Sequence, residues 1–357
     1  MSSTADLAIP KGSTVLVTGA NGYLASHTVN EFIKQGYKVR GTVRDVAKNA
    51  WLAEYFDKTH GPGSFELVAV PDILAEDAYA TAVKGVSAFI HTVVVKTFGP
   101  DPREIIPPSV ASAEIAIRAA YAEPGVKRFV LTSSSSAAVP TSLEDASNAE
   151  LRGTVITRDS WVDDIKRRAW SAPEHPPEDF GGVVYGASKM EQEQAVWKYH
   201  AEHRAERPDL VVNAVLPNLN FGRVLDVKNQ GYPSSAVLPV LLMQGQRSPP
   251  QFSIPQYFID VEDTALLHVA GAVLPDVEGE RIFGFGEAFN YDKVLDILRR
   301  QNPGRTFHDN YEGSEYLFDV EPRGRAEELL KRVGGHGWTS LEESLLRNTE
   351  EVRAASA

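Results

Sequence analysis

The sequence predicts an α/β fold: a doubly wound parallel sheet followed by a smaller, mixed carboxyl-terminal part. Short apolar runs alternate with helical segments from residue 14 to residue 217, which is typical of parallel strands joined by crossover helices. The first helical segment also carries one apolar stripe, as a helix packed on a sheet requires. The members of the stripe repeat at every fourth position: Leu24, Thr28 and Phe32, and Ala25, Val29 and Ile33.

The predicted elements follow in a regular order. Strands are expected in the apolar runs TVLVTG (14–19), YKVRGTV (37–43), SFELVAV (64–70), VSAFIHTVVV (86–95), KRFVLTS (127–133) and LVVNAVLP (210–217). Helices are expected at 22–35, ending before Gly36, and at 109–122. Farther along, Asn290 is suited to cap the helix YDKVLDILRRQ, and Thr339 with Glu342 fits the capping box of a last helix.

Composition disfavours several classes of function. A net charge of −12 with no basic tract argues against nucleic acid or an anionic membrane as the partner, so a small molecule is expected. Because cysteine is absent, disulfides, a thiol nucleophile and a cysteine-bound zinc ion are excluded, and no metal site is predicted. The amino terminus lacks the pattern of a secretory signal, and no apolar run is long enough to span a bilayer, so a cytoplasmic protein is expected.

The segment VLVTGANGYLASH predicts a phosphate-binding turn between the first strand and the first helix. Gly19 suits a tight turn, Gly22 lets the backbone approach a pyrophosphate, and Ala25 is small enough for close packing of helix and strand. A glycine pattern alone also fits a plain strand-to-helix turn, but this one follows an apolar strand and opens an amphipathic helix. The sequence therefore predicts a dinucleotide bound to a Rossmann-type domain.

The choice between NAD and NADP depends on the second strand. About 20 residues after the glycines, where NAD-binding proteins carry an acidic residue, this chain has Arg40 and then Arg44. Guanidinium groups suit the 2′-phosphate of NADP, so NADP(H) is the predicted cofactor. In the alternative interpretation, both arginines are solvated strand-end residues and Asp45 serves NAD.

The ends of the next two strands are expected to border the cofactor. Asp72, which precedes Ile73, could accept a hydrogen bond from the adenine amino group, or it could equally cap a following helix. The end of the fourth strand, with Val93, is expected along the crevice, although an ordinary buried strand would show the same residues.

The stretch VVYGASKMEQEQ places Tyr185 and Lys189 four residues apart, which is about one helical turn. Reduction of a carbonyl by hydride leaves negative charge on the oxygen, and a tyrosine can neutralise that charge by donating a proton. A free tyrosine has a pKa of about 10, which a neighbouring lysine lowers by favouring the tyrosinate. The competing interpretation is a surface tyrosine that lies beside a lysine by chance, since the chain has 12 tyrosines.

The stretch RFVLTSSSSAAV supplies a third candidate group. It predicts a strand that ends in hydroxyl side chains from Thr132 to Ser136, and the carboxyl ends of parallel strands face the cofactor crevice. A serine there could hold the substrate oxygen beside Tyr185, whereas a polar turn is the alternative. The order of glycine turn, serine strand and tyrosine helix favours the catalytic interpretation.

With these motifs the chain resembles the extended short-chain dehydrogenases/reductases, within the dihydroflavonol-reductase-like branch that includes fungal NADPH-dependent carbonyl, aldehyde and methylglyoxal reductases. The resemblance is carried by VTGANGYLASH, YKVRGTVR, VKRFVLTSS, DSW at 159–161, YGASK and AVLPNLNFG, and so extends over most of the chain. The chain departs from the family pattern at Ala25, where a third glycine is commoner, and at 140–182, where its sequence is unusual.

The resemblance implies a role for several residues. Ser134, with Ser133 as the alternative, would orient the carbonyl, and Lys189 would also bind the nicotinamide ribose. The remaining cofactor contacts would be made by the backbone of Tyr23 and Leu24 at the pyrophosphate and by Pro217, Leu219 and Asn220 beside the nicotinamide.

The predicted function is NADPH-dependent reduction of a ketone or aldehyde to an alcohol, by a monomer or a homodimer. Residues 10–217 would form the NADP-binding domain with a lid-like insert at 140–182, and residues 218–350 mainly the substrate-binding part, with some segments returning to the first core. The alternatives are a nucleotide-sugar epimerase or dehydratase, which would favour an acidic residue near position 40, and a non-catalytic NADP-sensing protein. Candidate pocket residues are mostly apolar or aromatic and favour a bulky or aromatic carbonyl substrate: Phe98, Trp161, Trp170, Gln256 and Tyr257.

Overall fold

The computed structural model describes residues 7–95, 99–140, 151–171, 176–177, 179–246, 254–312, 315–316 and 318–355. Among these residues, strands alternate with helices from β1 onward and build a large parallel sheet, which confirms the predicted α/β class. The strands are β1 Thr14–Val17, β2 Lys38–Val43, β3 Phe65–Ala69, β4 Ala88–His91, β5 Arg128–Thr132, β6 Val155–Ile156, β7 Val211–Pro217, β8 Leu219–Phe221, β9 Gln256–Asp260, β10 Arg281–Gly284, β11 Glu287–Phe289 and β12 Asp319–Val320.

Helices connect these strands and cover the large sheet. The described helices are α1 Tyr23–Lys34, α2 Ala50–His60, α3 Pro102–Ala122, α4 Ile165–Trp170, α5 Phe180–His203, α6 Val227–Gln230, α7 Val237–Met243, α8 Val261–Val273, α9 Tyr291–Gln301, α10 Arg323–Val333, α11 Leu341–Asn348 and α12 Glu350–Ala354. None of them is both long enough and apolar enough to cross a bilayer.

The large sheet has the strand order β10-β7-β5-β4-β1-β2-β3, with every described pair parallel. From β1 the chain moves outward to β2 and β3, and it then returns to β4 on the other side of β1. A crevice opens at such a reversal, at the carboxyl ends of the strands. The candidate site is therefore expected above β1 and β4.

Side-chain alternation in β1 explains why the sheet needs helices on both faces. Val15 and Val17 pack into one core cluster with Phe32 of α1, whereas Leu16 points to the opposite cluster with Ile117 of α3. Because neighbouring side chains on a strand point to opposite faces, a strand of consecutive apolar residues is stable only when both faces are covered.

The part after residue 218 contributes both to the large sheet and to a separate small sheet. Strand β10 adds to the edge of the sheet by parallel pairing with β7, and α8 packs against α1. Strands β8, β9 and β11 form a separate three-stranded sheet with both parallel and antiparallel pairs. Its apolar cluster includes Phe221, Phe258, Phe289 and Leu345.

Helix α3 begins earlier than the sequence predicts. It starts at Pro102 rather than at residue 109, with Asp101 as the N-cap, and it contains Pro107 and Pro108. The prediction was wrong because internal prolines normally end a helix, since each removes a backbone donor. Pro102, in contrast, occupies the first helical position, where a missing N–H costs nothing.

The two predicted caps near the carboxyl terminus have different outcomes. Asn290 accepts a hydrogen bond from Lys293 N at 3.0 Å and caps α9, as predicted. The cap of α11 is Ser340 rather than Thr339, because the hydroxyl of Thr339 is bonded to buried Asp263 at 3.0 Å. The tertiary contact of Thr339 with Asp263 thus prevents the capping box that the local sequence predicts.

Candidate active site

The glycine turn after β1 has the shape that a phosphate cradle requires. Gly19 has φ +64°, which is strained for any other residue, and a Cβ atom there would lie 3.2 Å from Val93 Cβ. Gly22 is the N-cap of α1, and its N–H donates to Gly19 O at 2.9 Å. The first N–H groups of α1, on Tyr23 and Leu24, have no partner within the helix and can bind an anion.

The side chain of Tyr23 is not part of the phosphate-binding turn. It is buried, and its hydroxyl donates to Gly222 O at 2.9 Å, so that only its backbone is placed for a phosphate. This arrangement attaches the start of α1 to the segment after β8, about 200 residues later in the sequence.

Thr18 joins the ends of the two central strands. Its hydroxyl accepts hydrogen bonds from Thr92 N at 3.0 Å and from Val93 N at 3.2 Å. Val93 therefore lies against the glycine turn, where the sequence predicts a border of the cofactor crevice. Strand β4 itself ends at His91, so this border is irregular backbone rather than strand.

The Arg40 side chain is bonded within the large sheet and to the turn before β4. Arg40 lies in the middle of β2, where its Nε donates to Glu66 at 2.5 Å and its Nη1 donates to the carbonyls of Ala82 and Lys84, both at 2.8 Å. A strand-interior guanidinium with three acceptors supports the sheet edge and is not presented to a ligand. The expected contact of Arg40 with the 2′-phosphate stays a prediction, and these bonds would have to break for it to form.

Arg44 follows the carboxyl end of β2, at the crevice edge of the sheet. Its side chain is exposed, and no hydrogen bond or ion pair to it is found within the described residues. Asp45, the alternative ligand for an NAD ribose, instead accepts a hydrogen bond from Lys48 N at 3.1 Å. Of the two predicted arginines, Arg44 is the one available for a phosphate.

Asp72 and Ile73 lie in a turn after β3. The Asp72 carboxylate accepts from Leu74 N at 2.9 Å, and no helix follows it in the described chain up to α3. The helix-capping alternative is thus wrong, and an exposed carboxylate at this strand end still fits an adenine contact. Ile73 is partly buried against the core under α3.

Tyr185 and Ser134 are brought together from α5 and the end of β5. Their hydroxyls are hydrogen-bonded to each other, and the Ser134 hydroxyl also accepts from Ser136 Oγ at 2.9 Å. Desolvation raises the pKa of Tyr185, and the Ser134 hydrogen bond opposes that rise. The tyrosine is therefore protonated in this state and has a hydroxyl partner beside it.

Lys189 lies one turn after Tyr185 and is almost fully buried, with 3% of its surface exposed. Its Nζ donates to Thr132 O at 3.0 Å and to Gln192 Oε1 at 3.2 Å. Burial lowers the pKa of Lys189 to about 8, and the negative charge of Glu193 opposes this change. The amine is thus held at the end of β5, next to the serine run.

The structure distinguishes the two candidate serines. Ser133 donates its hydroxyl proton to Glu193 Oε2 at 2.6 Å, whereas Ser134 faces Tyr185. Consecutive residues of an extended segment point in opposite directions, so only one of the pair can face the crevice. The geometry favours Ser134.

The residues predicted to border the nicotinamide lie at the end of β7 and in β8. Pro217 ends β7 and lies beside Gly284 of β10, and Leu219 and Asn220 follow in β8. The side-chain amide of Asn220 is held by Thr264, whose hydroxyl donates to Asn220 Oδ1 at 2.6 Å. Leu219 and Asn220 remain partly accessible.

A buried series of hydrogen bonds, which the sequence analysis did not predict, connects the end of β5 through α8 to β8. The Thr132 hydroxyl is bonded to His268 Nε2 at 2.7 Å, and His268 Nδ1 contacts Thr264 O at 2.8 Å. Burial lowers the pKa of His268 to about 4, so the ring is neutral and can accept from one neighbour while donating to the other. The sequence signal for these hydrogen bonds is the pair of polar residues Thr264 and His268, four positions apart in the apolar helix α8.

The predicted substrate pocket is only partly described. Phe98 lies outside the described residues. Gln256 opens β9 opposite Phe289, and Trp161 stacks on the guanidinium of Arg281 at 3.8 Å. Trp170 bonds to Glu191 at 3.4 Å, and Tyr257 packs edge-on against Phe285.

The insert nevertheless contacts the site through its described residues. Val162 N donates to Ala137 O at 3.2 Å, directly after the serine run, and β6 pairs with β12. A cavity of about 440 Å³ lies elsewhere, and no predicted site residue lines it. No cluster of three potential metal ligands occurs in the described parts of the chain.

Comparison with known proteins agrees with this geometry. Residues 16–158 match the 3-beta hydroxysteroid dehydrogenase/isomerase family. The chain is 37% identical to aldehyde reductase 2 of Sporidiobolus salmonicolor over 342 residues, 94% of this chain and 95% of the relative. It is 33% identical to the NAD-dependent epimerase/dehydratase terH of Aspergillus terreus over 350 residues, 96% of this chain and 97% of the relative.

Solved structures show the same fold. The yeast methylglyoxal/isovaleraldehyde reductase complexed with NADPH superposes with a TM-score of 0.79 at 24% identity, covering 96% of this chain and 99% of that one. Such a likeness shows the fold, and the full-length sequence relatives show the family. The chain belongs to the extended short-chain dehydrogenases/reductases.

Proposed function

We propose that this protein is an NADPH-dependent reductase that converts the carbonyl of a ketone or aldehyde into an alcohol. The observation that carries the proposal is the hydrogen-bonded pair of Tyr185 and Ser134 with the buried amine of Lys189 one turn away. The aldehyde reductase relative, which matches 94% of this chain, supports the same class of reaction.

In the proposed mechanism, Ser134 and Tyr185 hold the carbonyl oxygen between their hydroxyls. NADPH, when bound, supplies the hydride. As negative charge develops on the oxygen, Tyr185 donates its proton, and Ser134 keeps its hydrogen bond to the same oxygen. The carbonyl oxygen would replace the hydrogen bond that the two hydroxyls make with each other.

Lys189 stabilises the tyrosinate that this proton transfer leaves. Desolvation raises the pKa of Tyr185, so loss of its proton requires a cation nearby. The amine of Lys189 supplies that charge, and its bond to Thr132 O at 3.0 Å fixes its position. The ribose hydroxyls of the cofactor would contact the same amine.

The residues of the glycine turn and the end of β2 fit NADP(H). A Cβ atom at position 19 would lie 3.2 Å from Val93, so only glycine leaves room in the turn. The start of α1 offers free N–H groups. Exposed Arg44 supplies a cation for the 2′-phosphate at the end of β2. We assign the phosphate to Arg44 on this basis.

The substrate class is proposed to be a neutral ketone or aldehyde. Val93, Val94 and Leu219 near the crevice are apolar, and the one cation placed at the reacting groups is Lys189, as far as the described residues extend. A carboxylate substrate would require a further cation, whereas an apolar carbonyl requires none. Location in the cytoplasm and a monomeric or dimeric state remain predictions.

The test is a panel of neutral ketones, aldehydes and keto acids with NADPH or NADH, read by the loss of NADPH absorbance. We expect turnover of neutral carbonyls with preference for NADPH. A protein that carries tightly bound NAD and converts a nucleotide sugar without net oxidation would instead be an epimerase, and one that binds NADPH with no turnover would be a sensor.

A further inference from the structure

Glu193 is a buried acid that the mechanism above does not use. It lies on α5 one turn after Lys189, and its side chain is fully buried. Its carboxylate accepts four hydrogen bonds: from Ser133 Oγ at 2.6 Å, from Arg281 Nε at 2.7 Å and Nη2 at 3.3 Å, and from Trp197 Nε1 at 3.1 Å. A buried carboxylate is stable when it is paired and its lone pairs are occupied, and both conditions hold here.

Arg281, the partner of Glu193, extends this network to the insert. The guanidinium lies 3.8 Å from the centre of the Trp161 ring and donates to the carbonyls of Arg158 at 2.9 Å and Ser160 at 2.6 Å. One charged pair thus connects the helix that carries Tyr185 and Lys189 to the described end of the insert. Such an arrangement orients groups around it as well as stabilising the fold.

We propose that Glu193 is a positioning residue for the reaction: it anchors Ser133 away from the crevice and places a carboxylate one helical turn from Lys189. The inference rests on the proposed function, because it assigns Glu193 an effect on the same catalytic groups. Ser133 and Ser134 are adjacent, so a Ser133 hydroxyl anchored to Glu193 leaves Ser134 facing Tyr185.

The groups around Lys189 explain why the charge of Glu193 matters. The Thr132 carbonyl of β5 and the Gln192 amide are neutral, and His91 of β4 is also neutral because burial lowers its pKa to about 3. Tyr185 is protonated. Glu193 is therefore the anion that opposes the desolvation of the Lys189 amine, whose pKa is about 8.

The negative charge of Glu193 favours the protonated form of Lys189. Without the negative charge, desolvation acts unopposed and the pKa of Lys189 falls further below 8. The amine then loses its proton at a lower pH, and the alkaline limb of the pH profile moves toward acid.

The experiment compares Glu193→Gln, which keeps the shape and removes the charge, with Glu191→Gln as the matched control. Glu191 lies on the same helix and pairs with Lys166 at 3.0 Å, outside this network. The pH dependence of kcat and of NADPH binding, read by fluorescence, is measured beside the melting temperature. We expect the Glu193→Gln alkaline limb to move down by about one pH unit or more, and the Glu191→Gln limb to match the wild type.

An unchanged alkaline limb in a folded Glu193→Gln protein with a lowered melting temperature would show a structural role and overturn the proposal. If Glu193→Gln does not fold, the double variant Glu193→Gln/Arg281→Met removes both charges and leaves no unpaired ion. A smaller downward shift is then expected, because loss of the Arg281 cation offsets part of the loss of the anion. If the wild type binds NADPH but reduces no carbonyl, the proposed function has failed, and the pH dependence of binding still tests Glu193.

Discussion

The two sides of the crevice are built in different ways. The cofactor turn, residues 18–24, is a short backbone structure whose shape depends on glycine conformation and on one contact with Val93. The proposed catalytic wall, which consists of Ser134, Tyr185 and Lys189, depends on side chains from two elements about 50 residues apart. Substitutions in the turn should therefore change cofactor binding, whereas substitutions in the wall should change the rate of the chemical step.

The largest effect is expected for Tyr185→Phe, which removes the proton donor and little else. We expect kcat to fall by at least about a hundredfold while NADPH affinity changes by less than about twofold. Tyr199→Phe is the matched control, because Tyr199 lies on the same helix and stacks on His203. Steady-state kinetics and fluorescence titration of NADPH measure both values. Near-normal turnover of Tyr185→Phe would show that Tyr185 is not the proton donor.

The next effect compares the two serines. Ser134→Ala should lower kcat by roughly a hundredfold, as for a lost oxyanion donor, and Ser133→Ala by less than about fivefold, since Ser133 acts through Glu193. Both proteins are compared by kcat at saturating NADPH. A large loss of activity in Ser133→Ala alone would show that Ser133, and not Ser134, faces Tyr185 in the working enzyme.

The smallest effect separates the two arginines. Arg44→Ala should weaken NADPH about tenfold and leave NADH within about threefold, because an exposed cation is lost opposite a phosphate. Arg40→Ala should leave the ratio of the two affinities unchanged and lower the melting temperature, since Glu66 and two carbonyls lose their donor. Binding constants of both variants for NADPH and NADH distinguish the two assignments of the 2′-phosphate. A selective loss of NADPH in Arg40→Ala would restore the original assignment and contradict the present one.

Arg40 and Arg44 also show where prediction from sequence stops. Both belong to the same short motif, and composition favours neither, yet Arg40 is bonded to Glu66 from β3 and to the carbonyls of Ala82 and Lys84. Those acceptors lie 26 to 44 residues farther along the chain, so no local pattern reveals them. Thr339 is a similar case, because Asp263 of α8 occupies the hydroxyl that the local pattern assigned to a cap.

The sequence by itself determined the alternation of strands and helices, the glycine turn, and the pairing of Tyr185 with Lys189 on one helix. Each of these depends on residues close together in the chain, through side-chain periodicity or the backbone freedom of glycine. Only the tertiary structure decided that Ser134 faces Tyr185, that Arg44 has no partner among the described residues, and that Glu193 lies between Ser133 and Arg281. The reason is physical: burial and partner choice depend on which distant segments pack together, and the energy of a buried charge or hydroxyl depends on those partners.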